Sequence, residues 1–331
     1  MRPFEYARPQ TEAEAVELLS DHDGKTAVLA GGTDIMNLLR RDAIQPRRLV
    51  DIKHISSMQG IRQADGGVLV GSLVTLEDAA ESPLLAEHRS VLQVAHAHKA
   101  IQIQQAGTLA GDLCQLPHCW YFRNGYGLLG MENGLSMAEA GDNRYHAIFG
   151  NRGPAKFVSG SRFAPAMIAW GAKVRVVGPE GEEFIPLEYF FATPKTDRQN
   201  VTVLRPGQLV THVWLPSRTA DIVSGAYEVL ELNGLDRPQA AAAVTLKMQS
   251  GIVRDARIVM GHVAPTPWVA QEAANALIGQ SVNEDTASRV GDIAVAGATP
   301  LSMNGFKVQM ARAAVKRSLL RAVGQLDEAL V

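Results

Sequence analysis

Two short runs of small residues, Leu29-Ala30-Gly31-Gly32-Thr33-Asp34 and Gly107-Thr108-Leu109-Ala110-Gly111-Asp112-Leu113, carry the residue types that let a backbone close around an anion. In the first, an apolar run gives way to two glycines and then to helical spacing. Without side chains at Gly31 and Gly32 the main chain can bend tightly and several N–H groups can point inward, while the helix N-terminus adds partial positive charge. The Thr33 hydroxyl offers one more donor. Phosphate binding is the chemistry this pattern allows, and an ordinary strand-to-helix turn accounts for the same residues equally well. It is neither a Gly-Lys-Ser/Thr phosphate loop nor the GxGxxG dinucleotide pattern. The second run has similar hydroxyl and carboxylate groups but little specificity alone. A third, Val158-Ser159-Gly160-Ser161-Arg162-Phe163-Ala164-Pro165, leads into a helix. Arg162 could grip phosphate through two parallel N–H groups, or be a solvated arginine ahead of that helix.

Other reactive side chains offer less. Cys114 and Cys119 cannot make a disulfide framework and fit a reducing compartment. His96 and His98, two apart on an expected helix, do not share a face. With His118 and Cys119 they make a poor metal site, so no metal is expected and both read as helix-surface histidines. His146 and His262 read as structural, and no Ser-His-Asp or paired-carboxylate spacing is present.

The elements that must position these groups follow from caps and periodicity. Thr11 to Glu14 forms a capping box opening a helix to about residue 19, and Thr75 with Asp78 caps another. Strands are expected at 26–30, 48–52 and 67–71, and helices at 33–41 and 84–99. Residues 107–150 lose periodicity, the mark of a functional loop or an insertion. A helix and strand over 164–177 end at the Pro179-Glu180-Gly181 turn, where the domain boundary is expected. Beyond it, 208–215, 224–232, 240–248 and 252–263 read as strands, with Ser250-Gly251 as a hairpin turn. Helices follow at 268–278, at 285–298 and from 304 to the end. A length of 331 residues fits two domains at roughly 150 residues each. With 32 basic against 34 acidic residues there is no basic surplus for nucleic acid or an acidic membrane surface. No run reaches the ~18 apolar residues that span a bilayer, so a cytoplasmic protein is expected.

Together, and with Gly71-Ser72-Leu73-Val74-Thr75 between the first two, the clusters resemble a known family. It is the FAD-binding (medium) subunit of the molybdenum hydroxylases, the xanthine dehydrogenase and carbon-monoxide dehydrogenase group. The opening Arg2-Pro3-Phe4-Glu5-Tyr6, the Gly261-His262-Val263-Ala264-Pro265-Thr266-Pro267-Trp268 stretch and the closing Asn304-Gly305-Phe306-Lys307-Val308 extend the resemblance along nearly the whole chain. It implies an α+β fold, with a two-lobed FAD-binding domain of the vanillyl-alcohol-oxidase type over 1–178 and a CO dehydrogenase flavoprotein-like domain over 179–331. It also implies that Leu29, Ala30, Gly31, Gly32, Thr33 and Asp34, Thr75, then Thr108, Ala110, Gly111 and Asp112, and finally Ser161 and Arg162 bind FAD. The isoalloxazine would lie between the domains, with 232–239 as a wall. Three positions depart from the family pattern: Ala110 replaces glycine, Asp112 replaces asparagine, and Gly160-Ser161-Arg162 replaces Pro-Ser-Asp.

Residues 114–156 resemble an insertion in the branch near the 4-hydroxybenzoyl-CoA reductase and aldehyde oxidoreductase FAD subunits, which there bind a [4Fe–4S] cluster. Only Cys119 matches a ligand; the other three positions fall around Gly127-Leu128, Leu135-Ser136 and Ala155-Lys156. Such a cluster needs four ligands, normally thiolates, so the insertion is expected without its cluster. The resemblance implies partners too: a molybdopterin-binding large subunit and a [2Fe–2S] small subunit, with electrons passing through FAD to an external acceptor. The alternative is a degenerate member that serves as a docking or scaffold subunit. A free-standing flavin oxidase would need a base or nucleophile constellation that the sequence lacks.

Overall fold

The computed structural model describes residues 1–20, 25–217, 219–232 and 237–326. The chain opens with a small parallel layer, β1 (Glu5–Ala7), α1 (Glu12–Ser20), β2 (Thr26–Leu29), α2 (Ile35–Arg40) and β3 (Arg48–Asp51), in strand order β1-β3-β2. Thr11 caps α1 by accepting the Glu14 N–H at 3.2 Å, while the Glu14 carboxylate takes the Gln10 N–H at 2.8 Å. Ala15 and Leu19 of α1 then pack on Val50, Ile52 and Met58.

A second lobe follows: β4 (Ile61–Ala64), β5 (Gly67–Gly71), α3 (Leu76–Glu81), α4 (Arg89–Ala97), α5 (Ile101–Ala106) and α6 (Leu109–Cys114). An irregular stretch holds α7 (Trp120–Arg123), the hairpin of β6 (Met131–Glu132) and β7 (Leu135–Ser136), and α8 (Met137–Ala140). Regularity returns with α9 (Ala164–Trp170), every residue of which is buried, then β8 (Lys173–Gly178), β9 (Gly181–Pro186) and β10 (Leu209–Pro216). The sheet of this lobe is antiparallel, ordered β4-β5-β10-β8-β9.

That order corrects the boundary expected at 178/179. The Pro179-Glu180-Gly181 turn closes the β8–β9 hairpin, and β10 is hydrogen-bonded on one side to β5 and on the other to β8. Val213 and Leu215 of β10 sit fully buried in the first core, so the chain leaves this sheet only after Pro216. The strand expected at 208–215 thus exists but belongs to the first domain.

The second domain is an antiparallel sheet of β11 (Ile222–Val229), β12 (Ala240–Gln249), β13 (Ile252–Gly261) and β14 (Trp268–Val269). It is covered by α10 (Gln271–Leu277), α11 (Glu284–Val295) and α12 (Phe306–Ala322). Ser250 and Gly251 make the expected hairpin turn at φ +50° and +78°. Trp268 and Val269, expected as the start of a helix, instead pair with Met260 and Val259, as an aromatic and a β-branched residue do readily. The helix expected over 84–99 is also divided: a 3-10 turn at Pro83–Leu85 precedes α4, because His88 between them bonds the Pro216 carbonyl at 2.9 Å and packs on Trp170.

The two domains share apolar core: Ala226, Ala243 and Val259 of the second sheet pack into the cluster of the first domain. A strap over residues 143–159 binds them further. Ile148 and Phe149 donate N–H bonds to the Val263 carbonyl at 2.8 and 3.0 Å, and Ser159 donates to Ala264 at 2.9 Å. Asn304 Nδ2 donates to the His146 carbonyl at 3.1 Å, and the buried Lys307 ammonium donates to the carbonyls of His146 at 3.0 Å and His262 at 2.8 Å. The 261–268 and 304–308 motifs therefore dock this strap.

Candidate functional site

The two glycine bends meet. Gly31 follows β2, Gly107 follows α5, and a methyl group on Gly31 would stand 1.6 Å from the Ala106 carbonyl oxygen and 3.2 Å from the Gly107 Cα. Only a residue without a side chain permits that approach. Gly32 then turns at φ +75°, which places the next residues at the start of α2. Among the described residues, the N–H groups of Gly31, Gly32, Thr33 and Asp34 find no acceptor in the chain. Successive main-chain donors beside a left-handed residue form a concave, anion-attracting surface.

The second bend is held from three directions. Thr75 caps α3 in a full capping box with Asp78 and is bridged to Thr108. The Leu76 N–H donates to the Gly107 carbonyl and the Leu109 N–H to the Val74 carbonyl, each at 3.0 Å. Thr108 Oγ1 accepts the Gly111 N–H at 3.1 Å, which leaves the Thr108–Gly111 turn facing the first bend.

A cavity lies on each side of this contact. The larger, about 850 Å³, is lined by Gly31, Thr75 and Thr108 with Lys53, Gln59 and Gln105. Lys53 is directed by the buried Asp51 carboxylate at 2.8 Å. The smaller, about 210 Å³, is lined by Thr33, Asp34, Gly111 and Asp112, and by His98, Arg162 and Arg237. His98 is not a surface histidine: it is 9% exposed, stacks on Phe163 and has no partner for Nε2. Burial, with Arg162 and Arg237 nearby, holds its pKa down to about 2, so the imidazole is neutral. Of the segment expected as a wall, Arg237 lines this cavity and Gln239 is buried, while residues 233–236 lie outside the described residues.

Each of the three departures from the family pattern is engaged by the protein's own groups, although Asp112 and Arg162 also line the smaller cavity. The Ala110 methyl packs in the apolar core of the first domain. Asp112 is buried, and its carboxylate accepts the Ser161 hydroxyl, the Arg162 N–H at 3.3 Å, the Phe163 N–H at 3.1 Å and the Gln115 amide at 2.8 Å. Burial pushes its pKa up, opposed by those donors and by the Arg162 charge. Arg162 is neither solvated nor free to grip phosphate. Its Nε donates to Glu228 Oε1 at 2.9 Å and its Nη2 to Oε2, with both side chains buried. Asp34 likewise points at the insertion, pairing with Arg123 at 2.7 Å and accepting the Leu116 N–H at 3.1 Å. Leu29 and Ala30 serve as the strand end beneath the bend, with Ala30 against the small core of the first lobe. Sequence reading missed Lys53 and Glu228, while Arg237 fell within the wall expected over 232–239; of the two missed residues only Glu228 left a signal, a lone carboxylate in the apolar strand Ser224-Gly225-Ala226-Tyr227-Glu228-Val229.

Residues 2–218 match the family described as the FAD binding domain in molybdopterin dehydrogenase, and residues 225–322 match the CO dehydrogenase flavoprotein C-terminal domain. The chain is an FAD-binding subunit of the molybdenum hydroxylase family. This subunit is 26% identical over 323 residues to the carbon monoxide dehydrogenase medium chain of Hydrogenophaga pseudoflava, covering 96% of each. It is 29% identical over 341 residues to the aldehyde oxidoreductase FAD-binding subunit PaoB of Escherichia coli, covering 98% of this chain and all of that one. In fold it follows a cyanide-inactivated Cu,Mo-CO dehydrogenase at a TM-score of 0.77 and 24% identity, covering 98% of this chain and 100% of that chain. Quinoline 2-oxidoreductase from Pseudomonas putida 86 gives 0.76 and 22%, covering 98% and 99%. The flavoprotein family's two domains meet between residues 218 and 225, as the sheet order requires.

The insertion of this flavoprotein does not fit an iron–sulfur cluster. Cys119, Leu128 and Ala155, at three of the four positions where the family's cluster ligands are expected, converge, but they do so in an apolar cluster with Phe122, Leu129 and Phe157. The fourth position falls at the exposed Leu135 and at Ser136, whose hydroxyl caps α8. Cys119 Sγ instead lies 3.3 Å from His146 Nε2.

Proposed function

We propose that this chain holds FAD with its diphosphate against the main-chain donors of Gly31, Gly32, Thr33 and Asp34 and the facing Thr108–Gly111 turn. The approach of Gly31 to the Ala106 carbonyl carries this reading, because it brings two distant bends to one place that no other residue type would allow. The cavities on either side suit the two halves of a dinucleotide. The smaller, which reaches Arg162 of the first domain and Arg237 of the second, takes the flavin ring, and the larger takes the adenosine. When bound, FAD supplies the chemistry, accepting electrons and passing them to an external acceptor; the chain contributes binding, orientation and exclusion of water. Asp34 and Asp112 orient the bends through Arg123, Leu116 and the start of α9, and neither carboxylate needs to approach phosphate. The altered loop residues therefore do not favour the alternative of a degenerate scaffold.

The subunit works beside a molybdopterin-binding large subunit and a [2Fe–2S] small subunit, in the cytoplasm, and carries no [4Fe–4S] cluster. The apolar filling at Leu128 and Ala155 supports the last point, and two free cysteines fit a reducing compartment. Among the described residues no helix is long and apolar enough to cross a membrane. Absorbance and iron assay of the purified chain test these proposals together. A yellow protein with one FAD and background iron is expected. A folded, colourless chain that ignores added FAD overturns the cofactor reading, and four irons per chain overturns the cluster-free insertion.

A further inference from the structure

Arg162 and Glu228 form the most buried ion pair among the described residues, with side chains 6% and 4% exposed. Burying two charges is costly, and such a pair commonly adds little net stability over apolar residues of similar volume. Its location is therefore informative. Glu228 belongs to β11 of the second domain, and Arg162 to the segment leading into α9 of the first. On its other side, that segment is gripped by Asp112 of the second glycine bend, which accepts the Arg162 and Phe163 N–H groups and the Ser161 hydroxyl. A continuous path of charge-assisted bonds thus runs from the bend, through residues 161–163, to the second domain. Arg162 also lines the smaller cavity, together with bend residues Thr33 and Gly111 and with His98.

We propose that Glu228 is a positioning residue for the cofactor site: by fixing Arg162 it ties the second glycine bend to the second domain and sets the wall of the cavity that receives the flavin ring. This rests on the FAD reading above. With Glu228 neutralised, Arg162 loses its anchor and Asp112 its fixed row of donors. The bend then no longer presents Thr108 and Gly111 in one geometry. By linkage, FAD binding should in turn tighten the docking of the two domains.

The double variant Arg162→Met/Glu228→Met separates positioning from stability, since paired apolar replacement of a buried ion pair is often neutral for folding. Thermal unfolding of the FAD-free chains, FAD titration by fluorescence and visible circular dichroism of the bound flavin are the readouts. The expected result is an unfolding midpoint near wild type, FAD affinity weakened about tenfold or more, and an altered flavin dichroism. Wild-type affinity and dichroism in the double variant overturn the proposal while leaving the FAD reading intact; a wild-type chain that binds no FAD fails both. Should the double variant not fold, Glu228→Gln keeps the side-chain shape and one acceptor, and a smaller loss of affinity is expected there. Unchanged affinity in Glu228→Gln likewise overturns the proposal.

Discussion

Gly31→Ala tests whether the bends touch. The added methyl would stand 1.6 Å from the Ala106 oxygen, and contacts of this kind are not tolerated below 3.0 Å, so the two stretches must separate by about 1.4 Å. Nothing flexible can absorb the shift, because the obstacle is main chain. Ala106 ends α5, and the next residue is fixed by the Gly107 N–H to Ile103 at 2.8 Å and the Leu76 N–H to Gly107 at 3.0 Å. Overpacking costs about 1–3 kcal/mol, and a lost main-chain hydrogen bond adds about 1 kcal/mol, giving about 2–4 kcal/mol. In a domain of this size each kcal/mol lowers the unfolding midpoint by about 2–4 °C, so a fall of about 4–16 °C is expected. Affinity for FAD, read by fluorescence titration, should drop by more than about tenfold, equivalent to about 1.4 kcal/mol. Gly134→Ala is the control: its φ is +79° with nothing within 4 Å of the added carbon. It therefore costs only the left-handed strain of about 1–2 kcal/mol and should leave FAD affinity alone. A Gly31→Ala chain with wild-type midpoint and affinity would refute the convergence of the bends.

Two further outcomes follow from buried titratable groups. Among the described residues Lys307 has carbonyl partners and no carboxylate, and burial pushes its pKa from 10.5 down to about 7. The unfolded chain then holds more protons between those values, so stability should rise with pH above 7 by up to about 1.4 kcal/mol per unit. Lys307→Met lacks the group, and equal pH slopes for the two chains in urea unfolding would contradict this. Burial likewise raises the Cys114 thiol to about 12 and raises Cys119. A thiol reagent at pH 8 should label the folded chain slowly and both cysteines promptly after unfolding; rapid labelling of folded protein would show the thiols accessible.

What the sequence disclosed about the fold was local. The caps at Thr11 and Thr75 and the turn at Ser250-Gly251 depend on residues within four positions of one another, and each appears where its side chains or backbone demand. Strand β10 was recognisable from its apolar run, yet its sheet was not. Its partner β5 lies some 140 residues earlier, Leu69 opposite Trp214, and no local pattern encodes that pairing. The same limit misplaced the domain boundary, since a Pro-Gly turn punctuates a hairpin as readily as it ends a domain.

The site divides along the same line. Glycine spacing and family resemblance marked both bends, because close backbone approach leaves a residue-type signature at Gly31. Charge does not carry its partner's address. Taken singly, Asp112 is a negative group where phosphate is expected and Arg162 a carboxylate lost. In space they meet: Asp112 accepts the Arg162 amide 50 residues on, and the Arg162 guanidinium finds Glu228 66 residues further. The alternation of charge along Asp112, Arg162 and Glu228 therefore makes these substitutions one interdependent set. Reverting Asp112 to asparagine alone should weaken the bend rather than restore it, because Arg162 and the α9 N-terminus would then face an uncharged partner.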